Sequence, residues 1–176
     1  GLSQFDSALF YYQIASELKD HNYEASFGLA QCYLNKSGLA TGQAIKPELV
    51  SKTKKYLEET IKNKSNFYTA YYFLGYIAQT ERNDYAAISY FRKTIAADPN
   101  ADYAYKALGQ SYASVGKLDS AIIALSTCMG IEEYKKRPNP DTYRLLADAY
   151  EKQGNANLAN QVMQRYQQLF GSAPTQ

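Results

Sequence analysis

Apolar residues recur along this chain at helical spacing, and residues 101–115 show the pattern most cleanly. Ala104, Ala107, Leu108, Tyr112 and Val115 fall on one stripe, which predicts an amphipathic helix. Gly116 is placed to end it, since glycine accepts the positive φ of a C-terminal cap. A second helix is predicted from Leu118, with Ala121, Ile122, Leu125 and Cys128 on its inner face. Gly109 and Ala121 are small where the two helices cross closely, and Tyr105 and Tyr112 are large where a neighbouring unit must be filled.

The same plan stands one unit upstream. Tyr71, Leu74, Gly75, Ala87 and Ile88 return as Tyr105, Leu108, Gly109, Ala121 and Ile122, each 34 positions later. Helix 66–80 carries Tyr71, Leu74, Gly75 and Ala78, and Glu81-Arg82-Asn83 forms the turn. Helix 84–97 follows with Ala87, Ile88, Phe91, Thr94 and Ile95, and Asp98-Pro99-Asn100 stops it. A fixed period of this length marks a stack of like supersecondary units.

These residues resemble the tetratricopeptide repeat, through Tyr71-Leu74-Gly75-Ala78-Ala87-Phe91-Pro99 and then Tyr105-Leu108-Gly109-Tyr112-Ala121-Leu125. Tyrosine stands in place of the family's usual tryptophan, and Ala78 in place of its second aromatic. The resemblance implies an all-α fold: a right-handed superhelical α-solenoid of antiparallel helix pairs, here of about nine helices.

The flanks extend the array to a single solenoid over 1–176, divided as 1–21, 22–65, 66–99, 100–137 and 138–172. Tyr143, Leu146, Ala147, Tyr150, Gly154 and Ala159 form a last unit, offset by four extra residues assigned to the polar stretch Glu132 to Pro140. Leu29, Ala30 and Tyr33 mark an earlier first helix. Its second helix, 47–63, opens with Pro47 and carries Val50, Tyr56, Leu57, Thr60 and Ile61. Between them Lys36 to Lys46 is a long glycine-bearing loop, read either as a second contact site or as a tolerated insertion. Phe5, Ala8, Leu9, Tyr12, Ala15 and Leu18 read as a second-type helix with no first helix before it. The chain thus reads as starting mid-repeat, as a fragment of a longer solenoid or with a capping helix. Tyr166, Leu169 and Phe170 leave the last helix apolar, which also points to further repeats or subunits at the chain ends.

Composition narrows the function. With 45% hydrophobic and 20% charged residues the chain is not of the disordered class. A net charge of +2 leaves no electrostatic footprint for nucleic acid or an anionic membrane, and no apolar run is long enough for membrane insertion. Eighteen tyrosines and no tryptophan suit half-buried packing and contact surfaces. Cys32 and Cys128 occupy core positions and read as reduced, buried thiols, in keeping with a cytoplasmic setting, with nuclear and periplasmic placements left open.

No catalytic, metal or cofactor site is read. The Gly38 to Gly42 segment lacks the strand and lysine of a phosphate loop. The single histidine, His21, falls in a predicted turn and excludes imidazole triads and multi-histidine metal sites. Glu58-Glu59 and Glu132-Glu133 are adjacent and point about 100° apart on a helix, so neither makes a facing acid–base pair; the first reads as a solvated face and the second as loop. Lys52 to Lys55 and Lys135 to Arg137 read as solvated basic surface. Asn35-Lys36-Ser37 and Asn63-Lys64-Ser65 match the glycosylation acceptor pattern, which is frequent by chance.

The resemblance implies that first helices line an inner, concave wall where a protein or peptide segment docks. The helix period then assigns the groove-facing side chains. They are Phe27 and Gln31 in the first full unit, Thr69, Tyr72, Tyr76 and Gln79 in the next, Tyr103, Lys106 and Gln110 in the third, and Arg144 and Asp148 in the last. Glu24, Leu34, Ala113, Asp141 and Glu151 share those faces, which makes the middle aromatic and amide-rich and the C-terminal part mainly acidic. The carboxylate clamp for chaperone tails is excluded, because of the matching positions only Lys106 is of the right type. The expected function is a non-catalytic interaction scaffold for complex assembly. An RNA-binding helical-repeat array and a regulatory arm of an enzyme outside this chain are the alternatives.

Overall fold

The computed structural model describes residues 4–18, 22–39 and 44–171, and within them the chain is all-α, with nine helices. His21 and the centre of the 36–46 loop lie outside the described residues, as do the side chains of Phe5 and Leu18. The helices are α1 (Gln4–Leu18), α2 (Tyr23–Lys36), α3 (Pro47–Asn63), α4 (Tyr68–Thr80), α5 (Asp84–Ala97), α6 (Asp102–Ser114), α7 (Leu118–Tyr134), α8 (Pro140–Lys152) and α9 (Ala156–Phe170). The chain forms two compact units, 1–77 and 78–176.

In the first unit α2 packs on both α1 and α3. Asn22 caps α2 by accepting the Ala25 N–H at 3.1 Å, and Pro47 starts α3, where its missing donor costs nothing. Leu29, Ala30, Leu34 and Leu57 are buried between them. Gly28 lets α1 approach: a Cβ there would meet the Tyr12 ring at 2.5 Å. The long loop is closed at its base by the Lys46 N–H, which donates to the Ser37 carbonyl at 2.8 Å.

In the second unit α6 packs on α5 and α7, and α8 on α7 and α9. Gly109 brings α6 against α7, where an added Cβ would meet Leu125 Cγ at 2.5 Å. Leu125, Leu146 and Ala149 form a core with Ile122, Met129 and Val162 around them. Asn83, Asn139 and Asn155 cap α5, α8 and α9 with their side-chain oxygens.

One boundary departs from expectation. Glu132, Glu133 and Tyr134 are not loop but the last turn of α7, so the longer spacing to the final unit is taken up by a lengthened helix and the turn after it. The reason is that Glu132 is buried and finds partners across the turn. Its Oε1 accepts the Thr142 hydroxyl at 2.9 Å, and its Oε2 accepts the Asn139 N–H at 3.2 Å.

A second departure concerns Tyr105 and Tyr112. They do not fill the space beside α6 but remain partly exposed along an open cleft, because Ala96, Ser120 and Ala124 opposite are too small to close it.

Candidate protein-binding surfaces

In the first unit the predicted groove positions gather on α2 and α4. Phe27 is half-buried, with its ring 4.8 Å from Phe67 and 6.1 Å from Phe73. Lys64 closes this aromatic group, its ammonium 4.2 Å above the Tyr23 ring and hydrogen-bonded to the Tyr23 hydroxyl at 3.0 Å. Gln31 is exposed and lines a recess with Tyr12, Gly28, Asn35 and Phe73. Thr69, Tyr72 and Tyr76 are each half-buried on α4. Tyr72 sets its ring edge-on to Phe73, and burial, with Tyr76 beside it, pushes its phenol upward in pKa.

Tyr76 has a structural task. Its hydroxyl donates to the Leu39 carbonyl at 3.3 Å, so α4 holds the start of the long loop. Ser37 and Leu39 are themselves buried, and the Ser37 hydroxyl donates to the Leu34 carbonyl at 2.6 Å. The described part of the 36–46 insertion is thus packed onto its own unit.

In the second unit Gln79 donates to the Ser111 hydroxyl at 3.2 Å and is half-buried beside it. Tyr103 and Lys106 line a polar recess with Asp102, Glu132, Arg137 and Asn139. Asp102 is held by Lys135 at 3.4 Å and Arg137 at 3.5 Å, whereas no ion pair holds Lys106 among the described residues. Gln110 lies one turn along the same side of α6, half-buried.

The C-terminal part is less acidic in effect than its residue types suggest. Arg144 pairs with Asp141 at 3.4 Å and donates to the Tyr166 hydroxyl at 2.7 Å, its guanidinium over that ring. Asp148 pairs with Lys152 at 2.7 Å. Both carboxylates are locally neutralised, because α8 carries a cation three or four residues after each acid. Of the apolar residues on the last helix, Tyr166 is buried against Phe170, while Leu169 stays exposed.

Both thiols are buried and free, as the pattern predicts. Among the described residues no group of metal-ligating side chains is placed to hold an ion, and no helix is long and apolar enough to cross a membrane.

Residues 68–101 match the family model for the tetratricopeptide repeat. Solved structures of similar fold include MamA, with a TM-score of 0.78 and 23% identity over 93% of this chain and 87% of that one. A MamA fragment from Desulfovibrio magneticus RS-1 gives 0.78 at 15% identity over 98% and 89% of the two chains. YrrB, described as a TPR protein with an unusual peptide-binding site, gives 0.75 at 18% identity over 95% and 78%. At these identities the likeness speaks for the fold. No curated protein sequence matches the chain.

Proposed function

We propose, for a chain that belongs with the tetratricopeptide-repeat proteins, a non-catalytic role as a scaffold that captures segments of other proteins on the first-type helices of each unit, α2 and α4 in the first and α6 and α8 in the second. The observation that carries this reading is the pair of recesses bordered by predicted groove residues, Gln31 in the first unit and Tyr103 with Lys106 in the second. Each offers a donor at the edge of half-buried aromatic surface, which suits a peptide held by apolar contact and by bonds to its carbonyls. The described binding of a peptide by YrrB, a protein of the same fold, supports the class of partner. Tyr72 and Phe27 supply apolar area, and Gln110, Arg144 and Asp148 extend the polar contacts.

The test compares partner recovery by the wild-type chain and by Gln31→Arg/Lys106→Glu. Both positions avoid the core, so the variant is expected to keep its helix content and melting temperature. Loss of a protein recovered by the wild type supports the groove. Equal recovery by both chains removes it.

A further inference from the structure

The cleft beside Tyr105 and Tyr112 lies on the opposite side of α6 from the proposed groove. At about 100° per residue, Tyr105, Leu108 and Tyr112 cluster roughly 150° from Lys106 and Gln110. The cleft has a volume of about 380 Å³ and is walled by Ile95 and Ala96 of α5, by these three residues of α6, and by Ile123 and Ala124 of α7. That lies within the ~300–1,000 Å³ of ordinary ligand clefts. Ile123 at its rim is 68% exposed and carries the apolar lining out to the surface.

The charge lining it has one sign. Arg92 is the only charged residue lining the cleft, and its guanidinium has no hydrogen bond or ion pair among the described residues. Arg92 and Ala96 also border a second recess that runs along α5 past Ser89 and Lys93 to Tyr85. Lys117 adds a further cation, 5.8 Å above the Tyr85 ring. No carboxylate lines either recess, and the nearby Asp119 is engaged by Gln153. The surface is therefore an apolar socket continued by a basic strip, longer than a compact ligand needs.

We propose that this surface is a second docking site, for an acidic segment of a partner protein. The segment inserts one bulky apolar side chain among Tyr105, Tyr112 and Ile123 and sets a carboxylate against Arg92. Apolar burial supplies the affinity and the cations fix the register. Cationic or purely apolar segments are disfavoured, the first by Arg92 and Lys93 and the second by leaving the Arg92 charge unmatched.

The probe is the capped peptide Glu-Glu-Phe-Glu-Glu, titrated into the whole chain with isoleucine and leucine methyl groups observed by NMR. Saturable shifts are expected at Ile95, Leu108 and Ile123. Replacing the peptide's Phe by Ala is expected to weaken binding at least about tenfold, the loss of a buried aromatic side chain. Replacing its Glu residues by Gln, or making Arg92→Gln in the protein, weakens it several-fold, and the two changes together weaken it little further. Ile123→Arg, at an exposed position, abolishes the shifts, while Lys106→Ala leaves them unchanged. The proposal is overturned by absence of saturable shifts, by shifts that survive Ile123→Arg, or by affinity indifferent to Arg92→Gln. A failure here leaves the groove on the other side of α6 untouched.

Discussion

Glu132 accepts the Thr142 hydroxyl at 2.9 Å with both side chains buried, and this contact joins α7 to the first turn of α8. The same carboxylate takes the Asn139 N–H, and it faces the Cys128 thiol, which also has the Asp102 carbonyl at 3.2 Å. Cutting it to Ala leaves the Thr142 hydroxyl and the Asn139 N–H without this acceptor. Glu132→Ala is therefore expected to destabilise by about 2–3 kcal/mol, in the range for lost hydrogen bonds to a buried charged group. Urea unfolding measures this, and a change within error of zero would mean that the site opens to solvent.

Much of the fold was legible because its signals are local. Pro47, Asn83 and the 34-residue register set α3 and α5 at the residues the pattern predicts, and Gly116 ends α6 through a φ of 75°. What escaped the pattern depends on contacts between distant residues. Adjacent glutamates followed by lysines and prolines read as loop, since nothing near them in sequence reveals Thr142 as a buried partner. The Tyr76–Leu39 bond depends on a loop path that composition does not encode. The cleft by Tyr112 reflects side-chain volume missing from three helices at once. The acidity expected of α8 is offset at Asp141 by the pairing with Arg144 and at Asp148 by Lys152, a cation that a count of groove-facing residues omits.

Glu133 and Tyr143 make stability depend on pH at both extremes. Hydrogen bonds from Tyr143 and Arg165 hold the Glu133 carboxyl below its usual 4.5. Its contribution is present above pH 4.5 and is lost as pH falls through the lower folded value. Burial first, then the bond to Glu133, raise the Tyr143 phenol above its usual 10.0. That contribution is present below pH 10 and is lost as pH rises beyond it. Melting temperature against pH is expected to slope at both ends, and Tyr143→Phe to flatten the alkaline slope and weaken the acid one. An unchanged alkaline limb would contradict the pairing.

Arg82 sits where the other turns place glycine. Its φ is 59°, while Gly116 and Gly154 take 75° and 86° at the corresponding turns. A left-handed residue with a side chain costs about 1–2 kcal/mol, and glycine recovers this less its own entropy loss. Arg82 is exposed, so little else changes. Arg82→Gly is expected to stabilise by about 0.5–1 kcal/mol, and Gly116→Ala to destabilise by about 1 kcal/mol. Thermal melts of the two variants moving the same way would refute the argument.

Gly109 tests the close approach of α6 and α7. A methyl group there meets Leu125 Cγ at 2.5 Å and has the Ala121 carbonyl at 3.3 Å. The helices must separate or Leu125 must leave its rotamer. Gly109→Ala is expected to cost about 1–3 kcal/mol, despite alanine's better helix propensity. Gly130, with open space around its Cβ direction, is the control: Gly130→Ala is expected to stabilise α7 by up to ~1 kcal/mol. Stabilisation by both substitutions in urea unfolding would show that the crossing is loose.

The two thiols differ in what shields them. Burial, with Glu132 adding to it, pushes the Cys128 thiol up to about 12, so almost no thiolate exists near neutral pH. Cys32 is raised mainly by burial and partly relieved by Lys36, and it borders the recess beside Gln31. A disulfide reagent at pH 8 should therefore modify Cys32 slowly in the folded chain and Cys128 only on unfolding, with both reacting at once in denaturant. Mass mapping of the modified peptides distinguishes the two. Equal rates at Cys32 and Cys128 in the folded chain would mean that the Cys128 pocket opens as often as the Cys32 recess, and would remove the buried Glu132 contact as a rigid joint between α7 and α8.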